Sequence, residues 1–146
     1  GTTGEQLYVA GNYSDIGGVG GPDHIAKWDG TTYSAVGGTI GGAVPLIVLD
    51  LHVADLGDGG KLYAGGRFLT IDGVPANNVA VWDGTSWSAL GGGVTPSAGF
   101  AQVLHMTAWD DGSGTALYVG GRFGNAGGEP AARVAKWDGA SWSARG

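Results

Sequence analysis

Three aspartates, Asp29, Asp83 and Asp138, stand at equivalent places in this chain, each after Trp and before Gly. Recurrent carboxylates are what acid–base or metal chemistry requires. Asp-Gly is also the strongest short-range hairpin signal, and a turn aspartate hydrogen-bonds its own backbone. The turn reading is the stronger of the two. A second acidic set, Asp55 and Asp58 with Asp110 and Asp111, lies in Gly-rich stretches. Closely spaced Asp and Gly can make a calcium loop, but the D-x-[DN]-x-[DN]-G pattern is absent and plain turns are expected.

The remaining chemistry-bearing residues are sparse. His24, His52 and His105 do not coincide in the repeat register described below, so a symmetric metal site is not expected. There is no cysteine, which excludes thiolate ligands and a cysteine nucleophile. No Ser-His-Asp or paired-carboxylate arrangement can be argued from spacing. No catalytic residue, metal site or cofactor is therefore assigned. Arg67 and Arg122 each follow Gly-Gly, and Asn12 stands at the same place earlier in the chain. These three are the candidate ligand-binding residues; the plainer role is stacking or pairing that pins a loop. Trp28, Trp82, Trp87, Trp109, Trp137 and Trp142 could stack on sugars, but repeated strand positions favour packing between sheets.

All of these residues sit on a repeated unit. Leu117–Ala144 matches Leu62–Ala89 at 18 of 28 positions, and Leu7–Ala35 is a third, more divergent copy. Leu7, Leu62 and Leu117 mark a period of 55 residues (62−7 and 117−62), and a period of this size decides the architecture. Each period reads as four short strands, A to D, separated by turn residues. Strand B ends in the paired glycines, strand C ends in Trp, and Asp-Gly turns into strand D. Continuous apolar runs such as Val79-Ala80-Val81-Trp82 fit a sheet covered on both faces. Alternating strand directions put the long loops, 12–24, 67–78 and 122–132 with 36–46 and 90–101, at one end. Long loops on a rigid scaffold are the usual seat of binding.

The formal charge is −6 with Lys and Arg scattered, which excludes a nucleic-acid partner. No apolar run is long enough to span a membrane as a helix. The first residues, GTTGEQLYV, carry neither the basic nor the apolar region of a signal peptide.

The order apolar strand, LYxGG strand, Val-rich strand, Trp strand resembles the kelch and galactose-oxidase-type β-propeller repeat. GGRF…G.PA..VAKWDG.SWSA is similar to Gly-rich kelch-like repeats of large secreted bacterial proteins. The resemblance implies an all-β propeller segment of about three four-stranded antiparallel blades, at about 5–37, 47–92 and 102–146, the first lacking its innermost strand. It implies a secreted or cell-surface bacterial protein, non-enzymatic, acting as a structural or interaction module. Three blades leave apolar end faces, so a homodimer closing a six-bladed ring is expected, or a partner strand from another chain added at Leu7–Gly11. A carbohydrate-binding, lectin-like propeller is the alternative.

Overall fold

The structure is a computed structural model and describes residues 6–11, 13, 15–20, 24–37, 39–43 and 45–145. In chain order the strands of the first repeat are β1 (Leu7–Ala10), β2 (Asp15–Ile16), β3 (Val19–Gly20), β4 (Ile25–Trp28), β5 (Tyr33–Ala35) and β6 (Ile40–Gly41). The second contributes β7 (Ile47–Asp55), β8 (Gly60–Arg67), β9 (Thr70–Ile71), β10 (Val74–Pro75), β11 (Val79–Trp82), β12 (Trp87–Ala89) and β13 (Val94–Thr95). The third contributes β14 (Gln102–Asp110), β15 (Thr115–Arg122), β16 (Asn125–Ala126), β17 (Glu129–Pro130), β18 (Val134–Trp137) and β19 (Trp142–Ala144).

These strands form six antiparallel sheets. Three hold the longer strands, in the orders β1-β4-β5, β12-β11-β8-β7 and β14-β15-β18-β19. They are called here the first, second and third sheets. Three smaller ladders, β2-β3, β10-β9-β6 and β13-β16-β17, are built from the loops. Two of these ladders cross between repeats: Ile40 pairs with Ile71, and Val94 with Ala126. The long loops of neighbouring repeats are thereby held together at one end.

Local chemistry explains the hairpins. Asp29, Asp83 and Asp138 each accept two backbone N–H bonds from residues two and three further on, for example from Ala140 at 2.9 Å and Ser141 at 2.7 Å. The following glycines adopt φ near 101°, a conformation L side chains resist. A single Oδ atom thus closes each turn between the Trp strand and the short strand after it.

Two apolar cores flank the second sheet. On one side Leu62, Ala64, Ala80 and Trp87 pack with Ile25 and Val36 of the first repeat. On the other, Tyr63 and Val79 pack with Val103, Met106, Leu117 and Val119. Neighbouring residues of one strand feed opposite cores, which is why the runs are continuous rather than alternating. Tryptophans tie the sheets together. Trp87 Nε1 donates to the Val36 carbonyl at 2.9 Å, and Trp142 Nε1 donates to the Leu90 carbonyl at 2.7 Å. Side chains also reach from β7 to the outer edge of β14: Asp50 accepts the Met106 N–H at 2.6 Å and His52 Nε2 accepts the Ala108 N–H at 3.0 Å.

The expectation of a β-propeller with kelch-like repeats is corrected. The all-β content and the small antiparallel sheets are observed, but among the described residues every sheet is open, its first and last strands each paired on one side only, and none closes or curls as a propeller requires. Part of each repeat leaves the main sheets for separate loop ladders, so the described residues form six sheets rather than three blades. The six-bladed ring of two copies, the lectin-like propeller and the description as a propeller segment lose their basis with it. The premise of apolar end faces fails at the third sheet. Leu117 and Val119 point into the core, whereas Tyr118 and Lys136, paired across β15 and β18, lie on the opposite face. There Asp111 accepts from Lys136 Nζ and from the Tyr118 hydroxyl, both at 2.7 Å. In the second repeat the place of Lys136 is held by Val81, which packs against a core.

Candidate functional site

Arg67 and Arg122 close β8 and β15, at the end where the loop ladders gather. Both turn toward Phe100, in the segment that leads from the second repeat into β14. The Arg67 guanidinium carbon lies 4.0 Å from the Phe100 ring centroid and that of Arg122 lies 4.1 Å from it. Both guanidinium groups thus rest on the one ring, a clamp that ties the ends of β8 and β15 together through Phe100. Each contact contributes about 0.5–1 kcal/mol at an exposed site. The structure thus brings together two of the three candidate residues through an aromatic ring. Asn12, the third, lies outside the described residues.

A cavity opens on either side of the clamp. One of about 150 Å³ is lined by Arg67, Phe68, Leu69, Pro96 and Phe100 and is mainly apolar. The other, of about 370 Å³, is lined by Ser97, Phe100, Arg122, Phe123 and Arg133 and is mainly polar. Among the described residues no carboxylate lies within ion-pair distance of Arg67, Arg122 or Arg133.

Arg133 departs from the repeat. Its equivalent in the second repeat is Asn78, which is buried, accepts from the Phe68 N–H at 3.2 Å and donates to the Val94 carbonyl at 2.8 Å. Both positions are left-handed, with φ of 74° at Asn78 and 72° at Arg133. Asn tolerates that conformation readily; a long side chain does not. The third repeat therefore carries a disfavoured residue at this place and presents it, exposed, to the larger cavity. Sequence reasoning missed both Phe100 and Arg133. The signal for Arg133 was the Asn-to-Arg change between aligned copies; Phe100 sits in a loop that carries no pattern.

The other chemistry-bearing residues go elsewhere. Backbone N–H groups, above all that of Thr32 for Asp29, Ser86 for Asp83 and Ser141 for Asp138, hold these carboxyls below their ordinary range. Asp55 accepts from Gly57 and Gly59, and Asp110 from Gly112 and Gly114 in the same way. Lys136, through its hydrogen bond, keeps Asp111 strongly acidic, and is itself raised by that bond. Burial, with Asp58 and Asp55 nearby, pushes the Tyr63 hydroxyl up to about 12. Among the described residues no group of three His, Cys, Asp or Glu is placed to hold a metal ion. His105 faces Asp50 at 3.3 Å, while His24 Nδ1 lies 3.4 Å from the Gly11 carbonyl.

Trp87 and Trp137 are buried and Trp142 and Trp82 half-buried, each adjacent pair tilted ring to ring. Trp109 differs, being 62% exposed beside Tyr118 on the outer face of the third sheet.

No family model matches the chain, and neither does any curated protein or any solved structure. The resemblance to kelch-like repeats is corrected on this ground too. The shared positions are strand Leu and Tyr, paired Gly, Asp-Gly and Trp, which short strands, close backbones and tight turns demand of unrelated repeats. The expectation of a secreted or cell-surface bacterial protein loses its support from that family.

Proposed function

We propose that this chain is a non-catalytic ligand-binding module whose binding end is the loop cluster around Phe100. The observation that carries this reading is the clamp itself. Two arginines from equivalent places in successive repeats converge on one ring, with a cavity on each side and no carboxylate partner among the described residues. Convergent polar groups over an apolar-walled cavity are what small-molecule sites have in common. The carboxylates, by contrast, are spent on turns, where their lone pairs meet backbone N–H groups.

Fragment screening by ¹H–¹⁵N correlation spectroscopy tests the reading. Shift changes are expected to concentrate on residues 96–101, Arg67 and Arg122. Hits that spread over the surface, or none at these residues, would overturn it.

A second reading rests on Trp109. An exposed indole beside an aromatic neighbour is a platform for a sugar ring. Under this reading a carbohydrate binds at the outer face of the third sheet, and Trp109→Ala abolishes binding while Arg122→Gln leaves it unchanged.

A further inference from the structure

We infer that the cavity of about 370 Å³ beside Phe100 is a site for a small organic carboxylate, held between Arg122 and Arg133. This rests on the reading of the Phe100 end as the binding end, and goes further by naming the ligand's chemistry.

Four observations converge. The cavity lies within the range of about 300–1,000 Å³ usual for small-molecule sites, whereas its neighbour of about 150 Å³ does not. Two guanidinium-bearing residues line it, and among the described residues neither has a carboxylate partner, in a chain whose formal charge is −6. Acidic groups are plentiful here, so arginines left without one are available to an incoming anion. Arg133 is held at φ 72°, a conformation that costs a long side chain, by backbone bonds from its N–H to the Phe123 carbonyl and from the Gly121 N–H to its carbonyl, whereas the aligned residue of the second repeat is Asn. Finally, the Arg122 guanidinium carbon lies over the Phe100 ring, 4.1 Å from its centroid, a contact that restrains the donor fork before a ligand arrives.

The walls select the rest of the ligand. Pro96, Ala98, Phe100 and Phe123 give an apolar floor, and Ser97 adds one hydroxyl. A guanidinium fork matches a carboxylate edge-on with two parallel N–H bonds. A carboxylate spanning Arg122 and Arg133, with a flat or branched apolar body along Phe100 and Phe123, uses every part of the lining. Inorganic phosphate would use only the charge.

The probes are benzoate, its neutral isostere benzamide, and inorganic phosphate, titrated into the full chain by calorimetry and by ¹H–¹⁵N spectra. Benzoate is expected to bind saturably, shifting residues 96–100, 122–124 and 132–133. Benzamide and phosphate should each bind about ten-fold more weakly or worse, the loss expected for a charge-assisted bond or the apolar contact. Arg133→Asn installs the residue the second repeat uses at this φ. It should fold at least as stably as the parent and lose benzoate affinity about ten-fold, so its failure to bind cannot be unfolding. Lys61→Gln, at the opposite end of β8 from the cavity, should leave benzoate binding unchanged. Equal binding of benzoate and benzamide at these residues would overturn the carboxylate assignment while leaving the binding end in place. Equal binding of phosphate would overturn the organic part. No saturable binding at residues 96–133 by any probe or fragment would overturn both this inference and the reading it rests on.

Discussion

The indole N–H of Trp142 donates to the carbonyl of Leu90 at 2.7 Å, reaching from the third repeat to the end of the second. Trp87 makes the same bond to Val36, one repeat earlier. Replacing either ring by Phe keeps most of the apolar body and removes the donor. A buried carbonyl left unpaired costs about 1–3 kcal/mol. Trp87 is buried and Trp142 only half-buried, so Trp87→Phe is expected to cost more than Trp142→Phe. Urea denaturation of both variants measures the difference.

The aligned pair Trp82 and Trp137 separates in the same way. Trp137 is 8% exposed and stands in a core, while Trp82 is half-buried. Trp137→Ala is expected to cost about 3–5 kcal/mol, the usual loss for a large core aromatic, and Trp82→Ala less. Equal losses would mean that the two rings are equally covered in solution.

Acid should weaken the turns. In the folded chain the carboxyls of Asp29, Asp83 and Asp138 sit below the ordinary value of 3.8, because backbone N–H groups bind the ionised form. Their contribution is complete above about pH 4 and drains away as pH falls through the lowered folded values. The melting temperature is expected to drop steeply below pH 4. Asp138→Asn should melt lower than the parent at pH 7, with the gap narrowing toward pH 2. A constant gap would show that charge has no part in the turn.

Two adjacent glycines should respond oppositely to the same change. A Cβ on Gly121 would stand 2.2 Å from the Gln102 carbonyl oxygen, while one on Gly120 would meet nothing nearer than the His105 carbonyl oxygen at 3.9 Å. Gly121→Ala is expected to destabilise by about 1–3 kcal/mol or more, as overpacking does, and Gly120→Ala to be tolerated. Gly65, aligned with Gly120, is another matter. Its Cβ would stand 2.5 Å from Val103 of the third sheet, so Gly65→Ala should be costly. Thermal melts of the three variants decide this.

Chelation should leave the chain untouched. Asp55 and Asp110 each place one oxygen on two backbone N–H groups, at 2.8–3.1 Å, which is the arrangement of a self-contained turn. An unchanged melting temperature in EDTA is expected, and a fall of many degrees would reveal a structural cation.

The strands were legible because residue type and period agree. Leu62 and Tyr63 feed opposite cores, so an unbroken apolar run signals a sheet covered twice. The loop ladders were not. Thr70-Ile71 and Val74-Pro75 are two residues each and pair with one another across Asp72-Gly73, but the pairing of Thr70-Ile71 with Ile40-Gly41 reaches into another repeat, and no local pattern marks it. The propeller was read from Gly, Trp and Asp-Gly spacing, which specifies strands and turns but not how sheets are disposed. At the site, Arg67 and Arg122 stood out by recurring after Gly-Gly, whereas Phe100 acquires its role only through tertiary contact. The outer face of the third sheet was written in one aligned change, Val81 to Lys136, whose meaning depends on Asp111 and Tyr118 meeting it.

The reach of Asp50 and His52 across to β14 has a consequence for how this protein keeps to itself. A nine-residue strand at the border of a sheet, with Leu104 exposed on it, is a template on which other chains can stack into cross-β fibrils. Two of the outward amides that such stacking would recruit, those of Met106 and Ala108, are already taken. Asp50→Ala or His52→Ala unmasks one each. Slow fibril growth on storage, followed by thioflavin fluorescence, is the expected sign that these side chains act as guards against self-templating.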